Sequence, residues 1–385
     1  MPKVKLKDVV MRVKDKVDKD TTDLEFYVGG EHIDSNEICV TKKGRIQGST
    51  IGPAFHMAFQ AGDVLLMSRN PHLRKASMVD FDGICSDVSY VCRTKDEEVL
   101  LQSYLPFLLQ SDDFWRFAEE NKKGGLPFFL NWSDFERYEF DLPPIEKQRE
   151  LAGLLWAMQH TKQAYQELLI KTDELVKSQF IELFGDMESN PNGWRESTLG
   201  AECYYIKDGP HKSPKYLDGT DGIPFISTRN VVNGDGIDWS TAKYISEEDY
   251  LQCIKKCHPE KGDILYSKGG TTGIAKLVDT DIRFANWVHV AVLKFGEQLD
   301  GRFLECMLNM DYCYAQSQTL TKGIANKDFV LSAIAQVKIY VPPIELQRQY
   351  TEFVEQSDKS KFELKQNIEN INALMKSLMR QDFSS

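Results

Sequence analysis

Two stretches of the chain carry apolar residues on a three-then-four spacing. The first takes in Leu151, Leu155, Met158, Lys162, Tyr165, Leu169, Thr172, Val176, Gln179 and Leu183. The second takes in Tyr350, Val354, Ser357, Lys361, Leu364, Ile368, Ile371, Met375 and Leu378. A heptad sustained over so many turns predicts two long helices that meet along a coiled-coil seam. Pro144 and Pro343 suit a first helical turn, where a missing N–H costs nothing, and Glu146 and Glu345 suit the positive helix start. From Ile145 to Phe184 and from Ile344 to Phe383 there is no proline and one glycine, Gly153, and Gly185 supplies a stop. Each helix of about 40 residues is ~60 Å long at 1.5 Å per residue, which outreaches either globular part. Pairing of the two helices with each other is therefore favoured over each lying on its own domain. Polar seam positions, with Lys162 and Lys361 in equivalent places, set register at a cost in stability.

The equivalence of those two lysines belongs to a longer repeat. Leu142-Pro143-Pro144-Ile145-Glu146-Lys147-Gln148-Arg149 returns as Val341-Pro342-Pro343-Ile344-Glu345-Leu346-Gln347-Arg348, displaced by 199 positions. Upstream, Lys123-Gly124 matches Lys322-Gly323, Phe135 matches Ile334 and Tyr138 matches Val337 at the same offset. Gly62-Asp63-Val64-Leu65 matches Gly262-Asp263-Ile264-Leu265 after a one-residue slip. Two diverged copies thus run in tandem, each about half the chain. Tandem copies joined through a folded-back helix pair place their globular parts at opposite ends of it.

The globular parts mix the two periods. Asp63–Met67, Asp263–Tyr266, Val88–Cys92 and Val288–Leu293 read as strands, while Glu98–Ser111 and Asp300–Gln318 read as helices. Glu139–Leu142 and Val337–Val341 form a last strand running into each long helix, and Pro191-Asn192-Gly193 is a turn that opens the second copy. The expected fold is α+β: two pseudo-repeated mixed α/β domains, residues 1–141 and 190–341, separated by two long helices forming an antiparallel coiled coil. The first helix and its linker occupy residues 142–189 and the second helix 342–385.

Composition changes this picture in two ways. Hydrophobic residues make up 42% and charged residues 27% of the 385, enough for two folded cores. The start of the chain is too polar for a signal peptide and no apolar run approaches a membrane span. Eight cysteines without pairing rhythm fit a reducing compartment, so a cytoplasmic protein is expected. The net charge is −11, distributed as −5 over residues 1–141, −3 over 142–189, −2 over 190–341 and −1 over 342–385. No segment is a basic domain, so any nucleic-acid contact must come from local basic loops.

Catalytic motifs are missing. Gly269-Gly270-Thr271-Thr272-Gly273-Ile274-Ala275-Lys276 has glycines but not the spacing of a phosphate loop. The Pro-Pro pairs lack the polar residue and the aromatic with which adenine methyltransferases hold a flipped base. Glu363-Leu364-Lys365 has a nuclease-like spacing but falls on the seam helix. Cys253, Cys257 and His258 begin a metal-ligand pattern without a fourth ligand, and no metal is expected. His56, His72, His160 and His289 have no obvious serine or cysteine partner. What remains is loop chemistry, in side chains that reach base edges or phosphates. In the first copy these are Lys42, Lys43, Arg45, Arg69, Arg74 and Lys75; in the second, Lys207, Lys212, Lys215, Arg229, Asn230, Lys268 and Lys322. Solvated turns have the same composition, but such loops recur beside both Gly-Asp strands.

The tandem arrangement of a globular unit, Pro-Pro-Ile-Glu-x-Gln-Arg and a long helix resembles the specificity subunit of type I restriction–modification systems, over essentially the whole chain. The Gly-Asp-Val/Ile-Leu strands and Asp221-Gly222-Ile223-Pro224-Phe225-Ile226 add to the likeness. The resemblance implies a non-catalytic chain whose two target-recognition domains each read half of a bipartite, asymmetric site in double-stranded DNA. It further implies helices that fix the gap and dock two methyltransferase subunits. Those partners would carry S-adenosylmethionine, and motor–nuclease subunits would carry ATP and Mg2+, with no cofactor on this chain. The competing reading is a coiled-coil adaptor with two end domains that never touch DNA, which the acidic charge favours.

Overall fold

A computed structural model describes residues 2–323 and 328–383 and divides the chain into two units, residues 1–167 with 364–385, and residues 168–363. In the first unit the strands Val10–Val13, Ser89–Thr94, Val64–Met67 and Ala76–Met78 form an antiparallel sheet in that order. Val64 to Met67 is buried at every position, which is why the run is apolar throughout instead of alternating. Val64 and Leu66 pack with Leu100, Tyr104, Leu105, Phe107 and Phe114. Leu65 and Met67 face the other way, toward Val28, Met57, Phe59 and Val91. The second layer is a four-stranded sheet, Gly44–Arg45, Phe26–Val28, Gly83–Ser86 and Phe55–Phe59, with one parallel pairing, between 26–28 and 83–85. Lys3–Lys5 pairs with Glu139–Asp141 just ahead of the first long helix.

The second unit repeats the frame. Cys203–Asp208, Val290–Phe295, Ile264–Ser267 and Ala275–Leu277 make the equivalent sheet in the equivalent order. Ile264 and Tyr266 pack with Phe303, Leu304, Met307 and Leu308, and Leu265 with Ile226, Val231, Phe284 and Val292. The companion sheet, Tyr216–Leu217, Lys243–Ile245, Ile223–Ile226 and Ala285–Asn286, again holds a single parallel pairing, and Arg195–Thr198 pairs with Lys338–Val341.

The long helices are Ile145–Phe184 and Ile344–Phe383. In the first unit the start of the first helix (Leu151, Ala152, Leu155) shares a core with the later part of the second (Ile371, Met375, Leu378, Met379). In the second unit the end of the first helix (Val176, Phe180, Leu183, Phe184) shares a core with the start of the second (Leu346, Tyr350, Val354). The helices are therefore antiparallel. Every position of the 3,4 stripe, from Leu151 to Leu183 and from Tyr350 to Leu378, is buried or half-buried, whereas Leu154, Leu168, Ile170 and Leu175 off the stripe are exposed. Phe180 and Phe184 meet Phe303 at 5.7 and 4.8 Å and Tyr350 at 5.4 and 5.6 Å between ring centroids, tying the seam to the domain core. Gly185, at φ +79°, closes the first helix by donating its N–H to the Ile181 carbonyl.

Two helical expectations need correction. The segment 98–111 is helical only at Leu105–Leu109; ahead of it Gln102 bonds the Thr94 N–H and the Gly62 carbonyl, holding the chain against the strand ends. The segment 300–318 is two helices, Gly301–Asn309 and Asp311–Leu320, because Met310 is extended. Among the described residues no helix is long and apolar enough to cross a membrane.

Candidate nucleic-acid interface

The repeated Gly-Asp motif is a device for launching a strand. Gly62 and Gly262 sit at φ +92° and +93°, a conformation that glycine takes without penalty. The aspartate that follows caps the turn: Asp63 accepts from the Gln60 N–H at 2.9 Å and Asp263 from the Glu260 N–H at 2.7 Å. Each carboxylate is then matched by a cation from the neighbouring strand, Asp63 by Arg93 at 2.7 and 2.9 Å, and Asp263 by Lys294 at 2.6 Å. Burial still pushes the Asp263 carboxyl above its usual range against the pull of Lys294. The strand so anchored delivers its far end into a loop, Ser68–Lys75 in one copy and Lys268–Gly273 in the other.

These loops sort the basic candidates by what holds them. In the first unit Lys42, Lys43, Arg45 and Arg69 are exposed. Lys42 pairs with Asp34 at 2.8 Å and Arg45 with Glu25 at 2.5 Å. Lys43 lies over the rings of Phe26 and Phe81 at 3.8 and 4.3 Å, and the Arg69 guanidinium over Phe129 at 5.3 Å. Arg74 and Lys75 point inward. Arg74 donates to the Gln110 carbonyl and pairs with Asp112 at 2.8 Å, and Lys75 donates to the Gly30 carbonyl at 2.6 Å. Although burial works the other way, Arg74 and Arg380 hold the Asp112 carboxyl below its usual range.

In the second unit Lys207, Lys212, Lys215, Arg229 and Lys322 are exposed, and Lys207 lies over the Tyr205 ring at 5.1 Å. Lys268 is 5% exposed, its ammonium between Asp208 at 3.4 Å and Asp328 at 3.1 Å. Asn230 is 2% exposed: its carbonyl oxygen accepts from the Ser227 N–H and hydroxyl, and its amide donates to the Asp238 carbonyl. These two residues shape the surface from beneath. The loops around them are drawn together by Thr228, whose hydroxyl donates to the Gly269 and His289 carbonyls at 3.0 and 3.2 Å. Two glycines permit the approach. A Cβ on Gly209 would sit 1.8 Å from the Asn286 carbonyl oxygen, and one on Gly269 would sit 2.1 Å from His289 Nδ1. Arg229 and the Lys207–Lys215 loop thereby border the same Gly269–Gly270 turn.

Sequence reasoning overlooked the glutamine of the repeated motif. Gln148 and Gln347 are fully buried. Gln148 accepts from the Leu101 N–H at 3.0 Å and donates to the Val99 and Pro143 carbonyls at 2.9 Å. Gln347 does the same with the Asp300 N–H and the Gln298 and Pro342 carbonyls, at 2.8, 3.0 and 2.8 Å. Each amide fastens the start of a long helix to the globular part before it. Its identity in both copies, three residues ahead of Leu151 and Tyr350 and in phase with the apolar stripe, was the available signal.

The seam lysines differ in their partners. Lys162 is buried against Glu37, both carboxylate oxygens at 2.9 Å, and Lys361 pairs with Asp173 and Asp358 at 3.1 and 3.0 Å. Among the described residues no group of three or more His, Cys, Asp and Glu side chains is placed to hold a metal ion. The Cys257 thiol donates to the Lys207 carbonyl, and burial pushes it up to about 11.

Residues 191–373 match the family described as type I restriction modification DNA specificity domain. The type I restriction enzyme MjaVIII specificity subunit of Methanocaldococcus jannaschii is 24% identical over 259 residues, 63% of this chain and 60% of that protein. The match thus spans less than two thirds of that relative. Two solved structures share the fold over nearly the full chain. The type I restriction–modification S subunit from M. genitalium has a TM-score of 0.60 at 16% identity, covering 100% of this chain and 96% of that one. A chain from work on complex assembly and conformational transition of the type I R-M system has a TM-score of 0.58 at 21% identity, covering 99% and 97%. Residues 191–373 thus match the type I restriction modification DNA specificity domain, and the chain as a whole shares the fold of solved type I S subunits, with its tandem frame and antiparallel long helices.

Proposed function

We propose that this chain reads DNA sequence for a type I restriction–modification enzyme and carries no catalytic centre of its own. The observation that supports this most is the doubling of one frame. Each copy launches a Gly-Asp strand into a loop bordered by exposed cations, and each is fastened by a buried glutamine to a helix of an antiparallel pair. In this reading residues 1–141 and 190–341 are the two target-recognition domains, residues 142–189 the first spacer helix with its linker, and residues 342–385 the second spacer helix.

Lys42, Lys43, Arg45 and Arg69 in one domain, and Lys207, Lys212, Lys215, Arg229 and Lys322 in the other, contact phosphates and base edges. Arg74, Lys75, Asn230 and Lys268 hold the loops in shape. Because the two sets of loops are unlike, the two half-sites differ and the target is not palindromic. The helices act as the spacer between half-sites and as the dock for two methyltransferase subunits. In support, Leu168, Ile170, Leu175, Ile181, Phe362 and Leu374 present apolar side chains to solvent along them. The methyltransferase subunits bring S-adenosylmethionine, motor–nuclease subunits bring ATP and Mg2+, and the complex works in the cytoplasm without membrane contact. The acidic net charge leans toward the adaptor reading, and the doubled frame outweighs it.

The test is DNA affinity against salt for the chain purified with its methyltransferase subunits. Lys42→Ala with Lys43→Ala, and separately Lys212→Ala, should weaken binding and lower the slope of log K against log salt by about 0.9 for each phosphate that is no longer neutralised. A slope that does not move would exclude these lysines as phosphate ligands.

A further inference from the structure

The most exposed of the large apolar side chains in the described residues is Leu126, at 89%. It stands at the tip of a small hairpin built by reciprocal backbone bonds between Lys123 and Phe129, at 2.7 and 2.9 Å. The hairpin is fixed to the loop that ends the Gly-Asp strand: Asn70 donates its N–H to the Phe128 carbonyl and Leu130 donates to the Ser68 carbonyl, both at 2.8 Å. Gly124, at φ +84°, makes the tight turn into the tip, and residues 123–127 are all exposed. Below the tip Phe128 and Phe129 are half-buried, with Lys122 over the first ring at 4.6 Å and Arg69 over the second at 5.3 Å. The foot is thus packed while the leucine itself is left in water.

A leucine kept so exposed costs solubility unless something covers it, and the charge around it says what. In a chain of net charge −11, residues 121–133 contain no aspartate or glutamate. Lys122 is paired with Glu119, leaving Lys123 and Arg69 as cations beside the tip. A cationic collar around one projecting aliphatic side chain fits a polyanion with apolar layers between its phosphates. Stacked base pairs provide that, and aliphatic side chains inserted between base steps unstack and kink a duplex. We propose that Leu126 is a wedge that seats against one base step of the half-site read by the first domain, with Lys123 and Arg69 on the flanking phosphates. This rests on the DNA-reading function above and adds a contact that acts through the deformability of the step rather than through hydrogen bonds.

The experiment uses the chain in complex with its methyltransferase subunits and duplexes carrying 2-aminopurine, which brightens on unstacking, at successive positions of the first half-site. Wild type should give a fluorescence rise at one step. Leu126→Ala should abolish that rise and weaken binding by ~10-fold, about the loss of one buried aliphatic group, without changing the salt slope. Leu126→Phe should restore both, and Lys123→Gln should lower the salt slope while keeping the fluorescence rise. Since the side chain is solvent-exposed, the thermal midpoint of Leu126→Ala serves as a check that the fold is intact. Unchanged affinity and fluorescence in Leu126→Ala would overturn the wedge while leaving DNA reading in place. Loss of the methyltransferase subunits from the Leu126→Ala complex, with normal affinity in whatever complex remains, would overturn it in favour of a protein dock. Failure of the wild-type complex to bind any duplex would overturn the DNA-reading function itself.

Discussion

At the scale of single residues, the repeated glutamines and the buried ion pairs decide most. Gln148, itself fully buried, satisfies one backbone N–H and two carbonyls where the long helix meets the domain. Truncating it to alanine strands all three, and an unpaired buried polar group costs about 1–3 kcal/mol. Gln148→Ala should therefore destabilise the first unit by about 3 kcal/mol, read as a lower denaturation midpoint, and Gln347→Ala should do the same in the second. Gln148→Glu should not rescue, because a carboxylate cannot donate to Val99 and Pro143. Glu202 makes a prediction about pH. The Arg195 guanidinium beside it, with Ser197 and Gln298, holds its carboxyl down to about 2, from an ordinary value of 4.5, against the opposing effect of burial. A depressed carboxyl stabilises the fold fully above its unfolded value and loses that contribution as pH falls toward 2. Acid titration of stability should thus be shallower between about 4.5 and about 2 in Glu202→Gln than in wild type, and identical slopes would contradict the pairing.

Residue roles were the part least legible in the sequence. Lys268 and Lys212 read alike as basic loop residues, yet one is clamped between Asp208 and Asp328, 60 positions away on either side, and the other is exposed. Asn230 looked like a base reader and is a cap, because Ser227 and Asp238 are brought to it by a short helix at Thr228–Val232. Gln148 was visible in the motif, but its partners lie 47 and 49 residues upstream. In each case the side chain's fate depends on a distant neighbour that composition does not reveal.

At the scale of elements the sequence was far more legible, because periodicity is local. The 3,4 stripe showed both long helices and the prolines ahead of them, with the proline-free runs that follow, set their limits near Ile145–Phe184 and Ile344–Phe383, while the Gly-Asp turns placed an inner strand of each sheet. The segment 98–111 misled because Gln102, a good helix former, is recruited to bond a strand end instead. The helix pair carries its own prediction. Deleting seven residues from the middle of each helix removes two turns, ~10 Å at 1.5 Å per residue, and preserves the heptad phase. If the helices set the gap between half-sites, the recognised spacer should shorten by about 3 bp at 3.4 Å each. An unchanged spacer would show that something other than helix length fixes it.

At the scale of the whole molecule, the proposed DNA reading is compatible with the acidic net charge only if it is confined to small cationic patches and completed by partners. That division also accounts for a chain with two well-packed domains, exposed apolar positions along its helices and no catalytic motif. In the proposed function this chain, and not its partners, chooses the DNA sequence. The most direct measurement is single-molecule sequencing of methylated adenines in host DNA, with the gene present, deleted, and replaced by a version whose residues 1–141 come from a related specificity subunit. The expected result is one split, asymmetric motif with a fixed gap, lost on deletion, and changed in only one half by the replacement. Methylation that is unaltered by deletion, or a replacement that changes both halves or neither, would contradict it.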